Sequence, residues 1–385
     1  MSRTIGRTAE HPYPDPVNEL VCLDMPLGAA FVERIVRAWD EGDAVFPLDS
    51  RLPRPAAEEV LSSVRPTVIA TESGDTRVEG APVESGDAVV VATSGSTGAP
   101  KAAVLTHAAV RASAEAVHER LDVSDRDGWF ACLPPAHVGG LSVVLRSIVS
   151  GVPLRTSPSF TPEACEEAAR NGSTLVSLVP TALLRIDPSI FRVVVLGGSR
   201  PPADRPANCV ATYGMTETGS GVVYDGRPLR GVEVDIRDGV IHLRSPMNMR
   251  GYRNAPSPID GEGWLRTGDI GSWNPDGSLS VQGREGDLII TGGENVWPEA
   301  VEDVILRMDG ITDCCVVGIA DPEWGQAVHA FVVSESAPAL GAVREFVKGH
   351  LPAHCAPKHL HVADGIPRTA LGKPRRGELA ASVER

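Results

Sequence analysis

The run AVVVA at 88–92 passes without a break into the loop TSGSTGAPK at 93–101, and no other junction in the chain constrains its fold as tightly. A continuous β-branched run of this length suits a strand buried on both faces of a parallel sheet. Three further runs share the texture: LVSLV at 175–179, VVVL at 193–196 and VAT at 210–212. Each is followed at once or nearly so by Gly, Ser, Thr or Tyr, and helical stretches alternate with them. In open α/β sheets, ligands gather beyond the carboxyl ends of such strands. The loop after the first run has the chemistry of an anion nest: Gly95 and Gly98 let backbone approach a ligand, Ser and Thr supply hydroxyls, and Lys101 supplies charge. Its spacing is not that of the Walker loop, G-x-x-x-x-G-K-[ST].

At 385 residues the chain is too long for one compact core and has room for two or three domains. A formal net charge of −14 disfavours a nucleic-acid partner, which needs a basic surface. An anionic substrate must then be held by a few local cations and backbone amides. No stretch reaches the roughly 18 apolar residues of a membrane span, and residues 1–16 lack the apolar core of a signal peptide. The seven cysteines are scattered without any C-x-x-C spacing, which reads as a reducing cytoplasm without structural zinc.

Residues 1–87 are weakly patterned, with one amphipathic segment, 29–39, predicted as a helix. Between 228 and 283 short strands and turns are expected, with NPDG at 274–277 a strong turn signal. After Asp287 a small α+β unit begins. Pro298 fits the first turn of a helix whose apolar residues Val301, Val304, Ile305 and Met308 follow the i, i+3, i+4, i+7 rule, closed by Gly310. Strands are predicted at 314–319 and 330–334, a helix near 342–349, and the main boundary at 283–287.

Three further stretches, YGMTE at 213–217, TGD at 267–269 with Gly283-Arg284, and PRTALGK at 367–373, accompany the loop. In order and separation the four resemble the signature motifs of the adenylate-forming superfamily, which includes acyl-CoA synthetases, luciferases and peptide-synthetase adenylation domains. The resemblance covers 88–374. It implies an α/β fold: a large domain, 1–284, of doubly wound parallel sheets with a small β-barrel-like part, and a small mobile α+β domain, 287–385. It implies an ATP-dependent ligase that makes an acyl-AMP and passes the acyl group to coenzyme A. Thr93, Ser94, Gly95, Ser96, Thr97, Gly98 and Lys101 would wrap the β,γ-phosphates. Tyr213, followed by Gly214 and Met215, would stack on adenine beside Gly197, Gly198 and Ser199. Thr216 would contact the α-phosphate, Glu217 and Thr97 would hold Mg²⁺, and Asp269, supported by Arg284, would take the ribose hydroxyls. Lys373 would bridge the substrate carboxylate and the α-phosphoryl oxygens. A hinge at Gly286 and Asp287 would then swing the small domain, turning Gly292, Gly293 and Glu294 toward the CoA tunnel.

The substrate side also carries a resemblance. LPPAHVGGL at 133–141 is similar to the motif whose histidine borders the acyl tunnel, which assigns His137 and Gly140 there. Arg146 lies inside the apolar run 141–149, where burial without a partner is costly. An arginine there, with SLVPT at 177–181 and YDG at 224–226, resembles the short actinobacterial o-succinylbenzoate-CoA ligases of menaquinone biosynthesis. Arg146 would face the second carboxylate of such a diacid; a structural role, capping a helix or pairing with an internal acid, stays open. An aryl or medium-chain acyl-CoA ligase and a carrier-loading adenylation enzyme also stay open, as does self-association. The chain begins late relative to usual members, and Ala102 stands where they place glycine. His350, His354, His359 and His361 invite a zinc reading, but they fall in the family's final connector, where no metal is expected. Cys314 and Cys315 sit in an apolar run and read as core. No G-x-S-x-G elbow supports a serine hydrolase.

Overall fold

A computed structural model describes residues 18–93, 100–199, 201–202, 204–368 and 374–383. The AVVVA run lies within the strand Asp87–Thr93, whose first five residues are buried. It belongs to a seven-stranded sheet, in the order Gly251–Tyr252, Lys101–Thr106, Asp87–Thr93, Ala44–Pro47, Leu20–Leu23, Val68–Thr71 and Gly74–Arg77. Its neighbour Ala44–Pro47 is parallel, but Lys101–Thr106 is antiparallel, with Lys101 opposite Thr93. The wholly parallel setting expected for this run is therefore corrected on one flank. A parallel return needs a crossover of a dozen or more residues, and the loop is too short to provide one.

The weakly patterned first 87 residues supply Leu20–Leu23, Ala44–Pro47 and Val68–Thr71, joined in parallel. These strands are four residues each, and the first two are buried throughout. Strands that short and that buried leave no alternation to read. The predicted helix is present as Ala29–Asp40 and buries Phe31, Arg34, Ile35 and Ala38.

A second seven-stranded sheet is parallel through Leu154–Thr156, Trp129–Ala131, Leu175–Leu178, Val193–Leu196 and the first half of Cys209–Met215. Beyond this Ser220–Tyr224 returns antiparallel. The helix Val138–Ser150 crosses between the layers and buries an unbroken stretch from Gly140 to Ser147. A helix apolar nearly all round is stable only when enclosed. Gly151 ends it in the left-handed region, φ 73°, with its N–H returned to Ser147.

Glu233–Arg237, Val240–Arg244, Leu265–Trp273 and Leu279–Arg284 form a four-stranded antiparallel sheet. From Ile289 onward a separate sheet is built around the long hairpin Ile311–Asp321 and Gly325–Ser334, with His359–Val362 added in parallel. The helices Pro298–Ile305 and Leu340–Lys348 pack on it; the first stops at Ile305, and Gly310 follows at φ 81°. Among the described residues no hydrophobic cluster mixes side chains from before 284 with side chains from after 287. No described helix is long and apolar enough to cross a membrane.

Candidate active site

The carboxyl ends of the second sheet carry several of the residues that the resemblance assigns to the nucleotide. Val193–Leu196 gives way to Gly197 and Gly198, the latter at φ 86°, and a Cβ on Gly197 would lie 3.2 Å from Thr212 Oγ1. On the adjacent strand the register slips between Tyr213 and Gly214. A Cβ on Gly214 would fall 2.2 Å from the Ser220 carbonyl oxygen, so only glycine lets the two strands meet here. Met215 then starts the short 3-10 turn Thr216–Thr218, with Thr218 Oγ1 accepting its N–H at 3.0 Å.

Tyr213 is anchored through its hydroxyl, which leaves its ring faces unaffected. Its hydroxyl donates to Asp269 Oδ2 at 2.8 Å, and Arg284 Nε lies 2.9 Å from Asp269 Oδ1. Burial, and then the Asp269 charge, push the phenol of Tyr213 above its ordinary range, so it remains a donor. The Asp269 backbone N–H donates to Thr267 Oγ1 at 3.0 Å, and Arg284 also donates to the Thr267 carbonyl at 3.1 Å. Residues 213, 269 and 284 thus form one chain of contacts.

A second chain was not legible in sequence. The Tyr252 hydroxyl donates to Glu217 Oε1, and Lys101 Nζ lies 5.4 Å from the Tyr252 ring centroid. The edge strand Gly251–Tyr252 sets this up by pairing Tyr252 with Ala103, two residues beyond Lys101. The charge of Arg284 acts on Tyr252 as well as on Tyr213, which couples the two chains electrostatically. A usable signal existed: four tyrosines in a chain with 4 % aromatics, one of them in a polar stretch, is an uneconomical placement unless its hydroxyl has work.

Of the residues that the resemblance assigns to the acyl tunnel, His137 leads into the helix Val138–Ser150. Its Nε2 sits 3.3 Å from both Asp49 Oδ2 and Arg51 Nη2, while Arg51 grips Asp49 through two 2.8 Å contacts. Burial opposes the charge on Asp49, but the hydrogen bonds from Arg51 and His137 outweigh it and hold the acid well below the usual range. Gly140 serves packing, since a Cβ would lie 2.4 Å from the Leu133 carbonyl oxygen. Arg146 is 3 % exposed, and its Nε and Nη1 have no hydrogen-bond partner among the described residues. Its guanidinium lies 4.8 Å from the ring centroid of Trp129, whose indole N–H donates to His118 Nε2 at 3.1 Å. Arg146, Ser113, Ser142, Leu105, Gly219 and Met247 line a cavity of about 10 Å³, room for one water. Gly219 ties this cavity to the turn carrying Thr216 and Glu217.

The AMP-binding enzyme family matches residues 49–253, and the AMP-binding enzyme C-terminal domain matches 300–373. The chain belongs to the AMP-binding enzymes. It is 36 % identical over 362 residues to the "Probable 2-succinylbenzoate--CoA ligase" of Mycobacterium tuberculosis, covering 84 % of this chain and 93 % of that one. It is 33 % identical over 336 residues to the 2-succinylbenzoate–CoA ligase of Bacillus cereus, covering 77 % of this chain and 70 % of that one. The Bacillus subtilis o-succinylbenzoate CoA synthetase (MenE), solved in complex with the acyl-adenylate intermediate OSB-AMP, matches with a TM-score of 0.85 and 26 % identity over 94 % of this chain and 88 % of that one. The same synthetase with ATP and magnesium matches with a TM-score of 0.83 and 25 % identity over 94 % and 89 %.

Family membership implies ATP and Mg²⁺, and the residues present fit both. One oxygen of Glu217 accepts from Tyr252, and Mg²⁺ is commonly held by one or two carboxylates, phosphate oxygens and water. Asp269, engaged by Tyr213 and Arg284, is a carboxylate of the kind that accepts from hydroxyl donors. Thr93 and Lys101 stand opposite one another at the base of the loop. Ser94, Gly95, Ser96, Thr97 and Gly98 lie outside the described residues, as does Lys373. Ser199 follows Gly198 within them.

In the small unit, Gly292 and Gly293 have φ of 60° and 82° and form the two-residue turn between Thr291 and Glu294. Left-handed geometry at both positions is the primed turn that matches strand twist, which explains the glycine pair. Gly286 and Asp287 lie in the short turn Glu285–Asp287; a Cβ on Gly286 would meet nothing within 4 Å. Arg376 is clamped by Glu302 at 2.8 and 3.0 Å and by Glu299 at 3.1 Å. His359 and His361 stack on His329, and His350 packs against Phe346. No group of three or more His, Cys, Asp or Glu converges to hold a metal among the described residues.

Proposed function

We propose that this chain is an ATP-dependent acid–CoA ligase whose acid is 2-succinylbenzoate or a closely similar aryl diacid. The observation that carries the substrate reading is Arg146: a buried guanidinium with two unpaired donors lining a cavity next to the Thr216–Glu217 turn. The 2-succinylbenzoate–CoA ligases among the relatives support the same diacid. Its benzoate carboxylate would take the place of the water-sized void, with the surrounding side chains adjusting.

In the first half-reaction, an oxygen of the succinyl carboxylate attacks the α-phosphorus of ATP and pyrophosphate leaves. In the second, the CoA thiol attacks the acyl carbon and AMP leaves. The first step joins two anions, so its barrier is electrostatic and positional. Lys101 at the phosphates, Glu217 holding Mg²⁺, and Lys373 between the two reacting anions supply the neutralisation. Mg²⁺ would polarise phosphoryl oxygens and offset their charge. Tyr213, Asp269 and Arg284, already linked, would fix the adenosine. A turn of the small unit about Gly286 and Asp287, withdrawing Lys373 and presenting Gly292, Gly293 and Glu294, would admit the thiol. All seven cysteines are buried and free, which supports a reducing, cytoplasmic setting.

Separating the half-reactions tests this. Lys373→Ala should lower acyl-AMP formation by roughly two to three decades, while thioester formation from supplied acyl-AMP stays near wild type. Equal loss in both steps would refute the assignment of Lys373.

A further inference from the structure

Tyr252 lies between two opposite charges and touches both. Its hydroxyl donates to Glu217 Oε1, and its ring face carries the Lys101 ammonium at 5.4 Å from the centroid. The backbone fixes it from two directions. Tyr252 pairs with Ala103 and Gly251 with Val104, so its strand is in register with the one that Lys101 begins. Three residues earlier, the Met249 N–H donates to the Glu217 carbonyl at 2.7 Å, tying the same segment to the turn that bears the acid. An ammonium and a carboxylate in a half-buried cleft attract strongly and, left to themselves, pair directly. The aromatic ring instead gives the ammonium a weaker partner, and the phenol occupies one carboxylate oxygen.

We propose that Tyr252 is a positioning residue that keeps Lys101 and Glu217 apart, so that Mg²⁺·ATP meets an ammonium and a carboxylate not spent on each other. The inference rests on the reading of Lys101 and Glu217 as phosphate and metal ligands. Two variants divide its parts. Tyr252→Phe keeps the ring beneath Lys101 and removes only the hydroxyl that orients Glu217. Tyr252→Leu removes both, freeing Lys101 to fold onto Glu217.

The test is calorimetric titration of the full-length protein with a non-hydrolysable ATP analogue, with Mg²⁺ varied and with Mg²⁺ absent. For Tyr252→Phe the half-saturating Mg²⁺ concentration should rise about tenfold, the scale of one lost hydrogen bond to a charged group, while metal-free analogue affinity changes less than about twofold. For Tyr252→Leu the metal-free affinity should also fall, by about tenfold, because Lys101 is now sequestered. A Mg²⁺ curve for Tyr252→Phe that overlays wild type would overturn the proposal, and this variant, being nearly isosteric, decides even if Tyr252→Leu fails to fold. Glu217→Gln serves as the reference. If it too leaves the Mg²⁺ dependence unchanged, the metal reading of Glu217 has failed; if it shifts while Tyr252→Phe does not, only the present inference has.

Discussion

A buried arginine in the large half of the molecule and a half-buried one in the small half are treated in opposite ways. Arg376, after the 287 boundary, is gripped by two glutamates of the helix Pro298–Ile305, and Glu302 in turn accepts the Val316 N–H at 2.7 Å. Arg146, in the large half, is more deeply buried, yet among the described residues it has the face of Trp129 and two donors without a hydrogen-bond partner. Burial lowers the pKa of Arg146, whereas the neighbouring acids raise that of Arg376 against burial. A guanidinium enclosed with its counter-ions is part of the scaffold. One enclosed without them is what the role proposed for Arg146, a counter-charge for an anion arriving with the substrate, requires.

The contrast can be broken most sharply by removing the guanidinium from each site. Arg376→Leu leaves Glu302 and Glu299 without their cation and should cost about 3–5 kcal/mol, read by denaturant unfolding. Burial has already pushed Glu302 up to about 7. A carboxyl whose folded pKa exceeds its unfolded value stabilises most at low pH and loses that contribution as pH rises through the folded value. The deficit of Arg376→Leu should therefore be larger at pH 8 than at pH 6. A deficit independent of pH would place the damage elsewhere.

Arg146→Leu should behave differently. Loss of the Trp129 contact is offset by relief of two unpaired donors, so stability should change by less than about 1 kcal/mol. The preference for an aryl diacid over the matching monoacid should fall by roughly one to two decades in kcat/KM. Identical preference in variant and wild type would remove the substrate role and leave Arg146 a packing residue. The smallest effect is spectroscopic. Burial, and after it the Arg146 charge, hold His118 at about 4. In Arg146→Leu the His118 resonances should titrate at a higher pH yet still below the ordinary 6.5, since the larger cause persists. Because a depressed histidine stabilises above its unfolded pKa and loses that contribution as pH falls through the folded value, acid sensitivity between pH 6.5 and 4 should lessen in the variant.

Legibility in the sequence followed the length and closure of each element. Val193–Leu196 was readable to the residue, because four β-branched or aliphatic residues are bounded by Arg192 and Gly197. The helix from Pro298 was readable from its start signal and apolar spacing, apart from its last turn. The strand Lys101–Thr106 was not, since KAAVLT reads equally well as the first turn of a helix. The first three parallel strands were too short to show a period. In the cleft, Tyr213, Asp269 and Arg284, read from two stretches far apart in sequence, come into contact. What the motifs could not show is connection: that Tyr213 leans on Asp269, that Asp49 and Arg51 flank His137, or that Tyr252 stands between Lys101 and Glu217. Those contacts join residues 35 to 151 positions apart and exist only through sheet register.

The most direct test is pyrophosphate release by the purified chain with ATP and Mg²⁺ across aryl diacids, aryl monoacids and fatty acids, each with and without CoA. Release should be fastest with 2-succinylbenzoate, should begin before CoA is added, and should yield a thioester only in its presence. Release at the same rate with a monoacid would contradict the part assigned to Arg146, and no release with any acid would contradict the adenylation chemistry itself.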